Sequence, residues 1–192
     1  SDPRAFGALS PPDMYMELRL RQQEAMEQAL EVLDAVDAEW GERFGRRYGA
    51  IEPYRLEDAE IVLVTSGTVS STARYVVDER RARGEKVGLV KIRMFRPFPT
   101  ARLRQALACI PRVAVLDRNL SPGRSGIFAE ELRAALYDLE PAQRPGLDGY
   151  VIGLGGRDVT PDTIGECLDR SRAALAAGRA PEREDLWVGV KP

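Results

Sequence analysis

The side chains best suited to meet a ligand or a partner fall in four short segments: Thr65-Ser66-Gly67-Thr68, Arg93 to Pro99, Asp117-Arg118-Asn119, and Gly153 to Asp158. The first is a small polar turn of the kind that opens a helix, where free N–H groups and the helix dipole favour an anion. Its plainer reading is a strand-to-helix turn with a serine or threonine cap. The second, Arg93-Met94-Phe95-Arg96-Pro97-Phe98-Pro99, packs two arginines and two aromatic rings into a proline-stiffened turn. Such a turn suits a protein interface if the rings are exposed, and a core plug if they are not. The last, Gly153-Leu154-Gly155-Gly156-Arg157-Asp158, sets a fixed cation beside a carboxylate on flexible backbone. Neither GxGxxG nor GxxxxGK[ST] is present, so neither nucleotide fingerprint is met.

Several chemistries are closed to these residues. The chain of 192 residues contains no histidine, so no Ser-His-Asp, Cys-His or His-metal site can form within it. Its two cysteines, Cys109 and Cys167, are far apart and belong to no CxxC pair. Both are expected to be reduced and buried. With 28 basic and 30 acidic side chains, no global field draws the protein to nucleic acid or an anionic membrane. The apolar runs are too short to span a bilayer and the start has no signal pattern, so a cytoplasmic location is expected. The start Ser1-Asp2-Pro3-Arg4, lacking an initiator methionine, suggests a piece of something longer.

Those segments need a frame, and the apolar pattern supplies one. Asp13 is expected to cap a long helix whose apolar or small residues recur at Leu18, Ala25, Ala29, Leu33, Val36, Trp40 and Phe44. Gly45 and Gly49 end it, and residues 51–58 read as a linker. Strand and helix then alternate: Ile61 to Val64, a helix from Ser71 to Arg83, Val87 to Ile92, a helix from Thr100 to Cys109, Val113 to Leu116, a helix from Ile127 to Tyr137, Tyr150 to Leu154, and a helix from Thr160 to Gly178. Apolar strands joined by crossover helices require a parallel sheet covered on both faces, so the fold class is α/β, a three-layer open and mostly parallel sheet. The expected organisation is an N-terminal arm, long helix and linker (1–58), the α/β domain (59–178) and a C-terminal arm (179–192) in which Leu186, Trp187 and Val188 dock. In such a sheet ligands gather at the carboxyl ends of the strands. The candidate edge residues are therefore Ser66, Thr68, Arg96, Arg118, Arg157 and Asp158, with no catalytic, cofactor-binding or metal-binding residue assigned.

Taken in order, Tyr15 to Gln22 (YMELRLRQ), Glu60 to Val64 with Ser66-Gly67, Arg93 to Pro99 (RMFRPFP), Val115 to Arg118 and Gly153 to Thr160 (GLGGRDVT) resemble the second half of pyruvate:ferredoxin oxidoreductase α subunits. The resemblance implies a transketolase C-terminal-like domain within a complex that converts a 2-oxoacid to acyl-CoA and CO2. Thiamine diphosphate and magnesium, with iron–sulfur clusters leading to ferredoxin or flavodoxin, would serve that reaction. It further implies that those groups are held by other domains and subunits. The partners it implies are the N-terminal α-subunit domain and β-, γ- and δ-type subunits, and the chain alone would be structural and inactive. Two alternatives share the fold: a stand-alone anion- or metabolite-binding module, and the C-terminal domain of a transketolase-like or 2-oxoacid dehydrogenase β subunit.

Overall fold

A computed structural model describes residue 7 and residues 9–179 and 186–191. In chain order the elements are α1 (Pro12–Phe44), β1 (Ile51–Tyr54), β2 (Ile61–Ser66), α2 (Val69–Ala82), β3 (Val87–Ile92), α3 (Thr100–Leu107), β4 (Arg112–Asp117), α4 (Ile127–Leu136), β5 (Gly146–Val151), a single 3-10 turn (Leu154–Gly156), α5 (Pro161–Ala176) and β6 (Leu186–Trp187). They divide into two compact units, Ser1–Arg47 and Tyr48–Pro192.

The first unit is α1. It starts two residues earlier than a cap at Asp13 predicts, because Pro12 occupies the first helical position, where its missing N–H costs nothing; Asp13 instead sits in the first turn. Gly45 stops it in the left-handed conformation, φ 69°, with its N–H donated to the Gly41 carbonyl. None of its residues is buried.

The second unit is an α/β sandwich around a six-stranded sheet of order β1-β3-β2-β4-β5-β6. All pairings are parallel except that of β1 with β3. Alternation divides the strand residues between two cores. Ile61, Leu63, Leu89, Leu116 and Tyr150 face α2 and α5, while Val62, Val64, Val90, Val113 and Val115 face α3 and α4. Helices thus cover both faces, as the unbroken apolar strands require.

Three expectations are corrected. Residues 51–58 are not all linker: Ile51–Tyr54 forms the antiparallel edge strand β1, its short apolar alternation interrupted by Pro53, which an edge strand tolerates. The strand expected at Tyr150 to Leu154 begins four residues earlier and ends three residues earlier, at Gly146–Val151. Two glycines and Asp148 hid it, and Gly153 at φ 60° turns the chain out of the sheet. Cys167 is buried as expected, but Cys109 is exposed, on the loop before β4. The C-terminal segment does dock: β6 pairs with β5, and Val188 is buried with its N–H on the Val151 carbonyl. Residues 180–185 and 192 of the expected C-terminal arm lie outside the described residues.

Candidate functional site at the carboxyl edge

The chain runs from β2 to β3 on one side, then crosses to β4 on the other. The topological switch point therefore lies between the carboxyl ends of β2 and β4, where open parallel sheets leave a crevice. A cavity of about 350 Å³ occupies that position, lined by the turn after β2, by Arg118 and Asn119 after β4, and by Gly153, Gly155 and Gly156 after β5.

Each wall has a local reason. Thr65 is buried and donates its hydroxyl to the Leu116 carbonyl at 3.1 Å, binding the end of β2 to that of β4. Ser66 and Thr68 line the cavity, and neither hydroxyl has a hydrogen-bond partner among the described residues. The hydroxyl cap expected for α2 does not form: Thr68 has helical dihedrals and its side chain makes no cap bond. Arg118 donates Nε to the Gly153 carbonyl at 3.3 Å, which sets its guanidinium over the cavity rim. Gly153 allows this approach, because a Cβ there would lie 2.5 Å from Val159 Cγ2 and 3.0 Å from Arg118 Nε.

Asp117 and Asn119, read in the sequence as edge residues, have structural work. The buried Asp117 carboxylate accepts from the backbone N–H groups of Phe128 (3.1 Å) and Ala129 (3.0 Å) and from Asn119 Nδ2 (3.0 Å). Asn119 Oδ1 accepts from the Ile127 N–H at 2.8 Å. Together they satisfy the free donors at the start of α4 from a distance in sequence, where Gly126 supplies no capping side chain. Gly126 must remain small, since a Cβ would fall 2.3 Å from Asp117 Oδ2.

The structure gathers Ser66, Thr68 and Arg118 around one cavity and places the other candidates beside it. Arg157 and Asp158 are exposed after the 3-10 turn, and Arg157 donates to the Gly189 carbonyl of the C-terminal segment. Arg96 belongs to the neighbouring aromatic turn: it pairs with Glu131 of α4 and lies 4.1 Å from the Phe95 ring centroid. Phe95 meets Phe98 at 6.3 Å and Phe128 at 5.1 Å, both edge-on. Phe98 packs on the core beneath α3 and α4, and Phe95 remains half-exposed above it. Phe98 therefore serves the core, and Phe95 keeps part of its ring accessible.

Sequence reasoning missed a polar cluster at the opposite, amino end of the sheet. Arg112, first in β4, binds Asp148 of β5 through Nε (2.7 Å) and Nη2 (2.6 Å) and gives Nη1 to the Arg179 carbonyl (2.9 Å). Ser171 of α5 donates to Asp148 at 2.8 Å and pairs with the Tyr150 hydroxyl at 2.8 Å. Arg112 and Asp148 are only 3% exposed, so the bidentate geometry is what makes their burial tolerable. Burial holds the Tyr150 phenol far above its ordinary range, against the opposing pull of the Ser171 bond. Burial likewise pushes the Cys167 thiol up to about 12, keeping it protonated and inert. The arginine in β4 and the aspartate in β5, each interrupting an apolar segment, were the available signal.

Among the described residues, no group of three His, Cys, Asp or Glu side chains is placed to hold a metal ion. The donor chemistry does not fit an iron–sulfur cluster either: one cysteine is exposed, the other buried in an apolar core.

Comparison with known proteins places the chain. The sequence model of "Pyruvate:ferredoxin oxidoreductase core domain II" matches residues 59–164, which hold β2 to β5 and the start of α5. The chain is 41% identical over 190 residues to pyruvate synthase subunit PorA of Methanothermobacter thermautotrophicus, covering 99% of this chain and 46% of that subunit. PorA of Thermotoga maritima is 46% identical over 167 residues, 87% of this chain and 42% of the subunit. Ketoisovalerate oxidoreductase subunit VorA of Pyrococcus horikoshii is 38% identical over 191 residues, 99% of this chain and 48% of that subunit. The chain thus spans about half the length of these relatives. A match over more than half of the chain, from β2 through β5 to the first turn of α5, means that this chain belongs to the pyruvate:ferredoxin oxidoreductase core domain II family.

Proposed function

We propose that this chain is the C-terminal domain of an α-type subunit in a 2-oxoacid:ferredoxin oxidoreductase, where it supplies scaffold and subunit contacts and no reacting group. The observation that supports this reading is the alignment itself, which takes in 99% of this chain and only 46% of the PorA relative. In the parent complex the reaction is oxidative decarboxylation of a 2-oxoacid to acyl-CoA and CO2. Thiamine diphosphate supplies the carbanion chemistry, with magnesium, and iron–sulfur clusters carry the electrons to ferredoxin or flavodoxin. Among the described residues the side chains fit neither a metal ion nor an iron–sulfur cluster; on this reading thiamine diphosphate and the clusters are held by the N-terminal α-subunit domain and the β-, γ- and δ-type subunits. Identity is similar to a pyruvate-named and a ketoisovalerate-named relative, 41% and 38%, which favours a domain that does not choose the 2-oxoacid.

Within the complex the carboxyl edge is the docking face. Ser66, Thr68, Arg118, Arg157 and Asp158 present hydroxyls and charges there, and the Phe95 to Phe98 turn adds a half-exposed ring. The location follows as cytoplasmic, where ferredoxin or flavodoxin is reduced. The isolated chain is expected to retain no thiamine diphosphate by calorimetry with magnesium present, and to reduce no viologen dye with pyruvate and coenzyme A. Either activity in the isolated chain overturns the proposal.

A second reading, a stand-alone anion-binding module, rests on the cavity and its two unpartnered hydroxyls. A concentration-dependent rise in melting temperature with pyrophosphate would support it, by the ordinary linkage of binding to stability.

A further inference from the structure

Helix α1 carries an amphipathic pattern whose charges are ordered along its length. Leu18, Ala25, Ala29, Leu33, Val36 and Trp40 share one face at 3.6 residues per turn. None is buried; Leu18 and Val36 remain 44% and 54% exposed, so the helix presents apolar surface it does not cover itself. Glu24, Glu27, Glu31 and Glu42 lie on the far face, where water solvates them.

The flanks of the apolar stripe are what select a partner. One flank holds Arg19 and Asp37, the other Arg21 and Glu39; in each pair the two charges stand eighteen residues, or five turns, apart. In each pair the basic member is the N-terminal one and the acidic member the C-terminal one. Two parallel copies would set arginine against arginine and carboxylate against carboxylate. Two antiparallel copies, with the two-fold axis beside Ala29, set Arg19 against Asp37 and Arg21 against Glu39 of the other copy. Because like flanks meet in antiparallel helix pairs, all four contacts are attractive at once. The same register places Leu18 opposite Trp40 and Ala25 opposite Leu33, and the small Ala29 at the centre lets the backbones approach. The contacts of Glu39 with Arg43 and of Arg19 with Gln22 are exposed and within one helix, hence easily exchanged.

We infer that α1 is a self-recognition helix, pairing antiparallel with α1 of a second copy of this chain. The inference does not rest on the enzymatic reading and can fail without it. Sedimentation equilibrium of the 192-residue chain tests it, from about 1 to 200 µM, the range in which weak helix pairs associate. A monomer–dimer equilibrium is expected. Arg19→Glu with Arg21→Glu, or Asp37→Arg with Glu39→Arg, should weaken it by roughly tenfold. All four changes together should restore the original constant to within about twofold, because the pairing is reversed in sign and otherwise intact. A monomer at every concentration overturns the inference. So does a dimer indifferent to either double change, as a parallel pair or another surface would give. Failure of the four-fold variant to recover also overturns it, with helicity by circular dichroism measured on all variants.

Discussion

The two ends of the sheet hold their arginines in opposite ways. At the amino end Arg112 is 3% exposed and spends its Nε, Nη1 and Nη2 on Asp148 and the Arg179 carbonyl. At the carboxyl end Arg118 and Arg157 are exposed and held by backbone carbonyls; among the described residues neither forms an ion pair. A buried cation must be neutralised within the fold, since an uncompensated charge in low dielectric costs several kcal/mol. A carbonyl, by contrast, orients a guanidinium without cancelling its charge. One end is therefore finished by the chain itself, and the other keeps charge available to something outside it.

If that contrast holds, the most damaging change lies at the amino end. Asp148→Ala leaves Arg112 buried and unpaired and removes the acceptor for Ser171; it should cost about 3–5 kcal/mol of folding stability. Urea unfolding of the isolated chain measures it. Arg112→Met with Asp148→Leu should cost less than Asp148→Ala alone, because the lone charge is then gone. Equal costs would mean that the pair is not electrostatically sealed.

Asp117 tests the boundary between the two modes, being a buried carboxylate at the otherwise open end. Asp117→Ala removes acceptors from two backbone N–H groups at the start of α4 and should cost about 2 kcal/mol, the upper range for a lost cap. Asp117→Asn, which keeps one acceptor oxygen, should recover part of that. If Asp117→Ala is silent in the same unfolding experiment, α4 is held by packing alone.

How far the sequence made these features legible follows from range. The strands β2, β3 and β4 were visible because each is an apolar run buried on both faces, and Thr160-Pro161 marked the start of α5, where Thr160 accepts from the Thr163 N–H at 3.3 Å. β5 was misplaced because Asp148 looks like a loop residue until Arg112, thirty-six positions earlier, is known to neutralise it. The cavity was foreseen only as a set of loops: the rule for parallel sheets names the edge, and strand order alone shows which loops adjoin. Arg96 illustrates the limit, since its charge and neighbours suggested the same cluster while Glu131 and Phe95 draw it to the aromatic turn. Asp117 and Asn119 read as ligand-facing because a cap donated from another loop leaves no local signature.

A smaller test concerns strain at the amino end. Cys109 adopts φ 66° on the loop leading into β4, with its N–H on the Gln143 carbonyl. A side chain in the left-handed region carries a steric cost that glycine lacks, partly offset by the greater freedom of glycine in the unfolded chain. Cys109→Gly should therefore raise stability by up to about 1 kcal/mol, read as a higher urea midpoint at unchanged slope. A loss would mean that the exposed thiol makes contacts worth more than the strain.

The smallest effect on folding is expected where the largest effect on assembly should appear. Arg118→Ala and Arg157→Ala each remove an exposed cation bonded to a carbonyl, so each should change the stability of the isolated chain by less than about 0.5 kcal/mol. Asp158→Ala should be equally quiet, its carboxylate being exposed. In the assembled complex the same positions would lie against a neighbouring domain or subunit, where truncating a desolvated charge partner typically costs 2 kcal/mol or more, about thirtyfold in affinity. Subunit retention on gel filtration and 2-oxoacid-dependent dye reduction should then fall together, while the melting curve of the chain stays in place. A substitution that melts the isolated chain would assign the residue to the fold, as at the amino end. One that leaves assembly and turnover untouched would show that the exposed arginines are merely solvated, and that the carboxyl edge is not where this domain meets its neighbours.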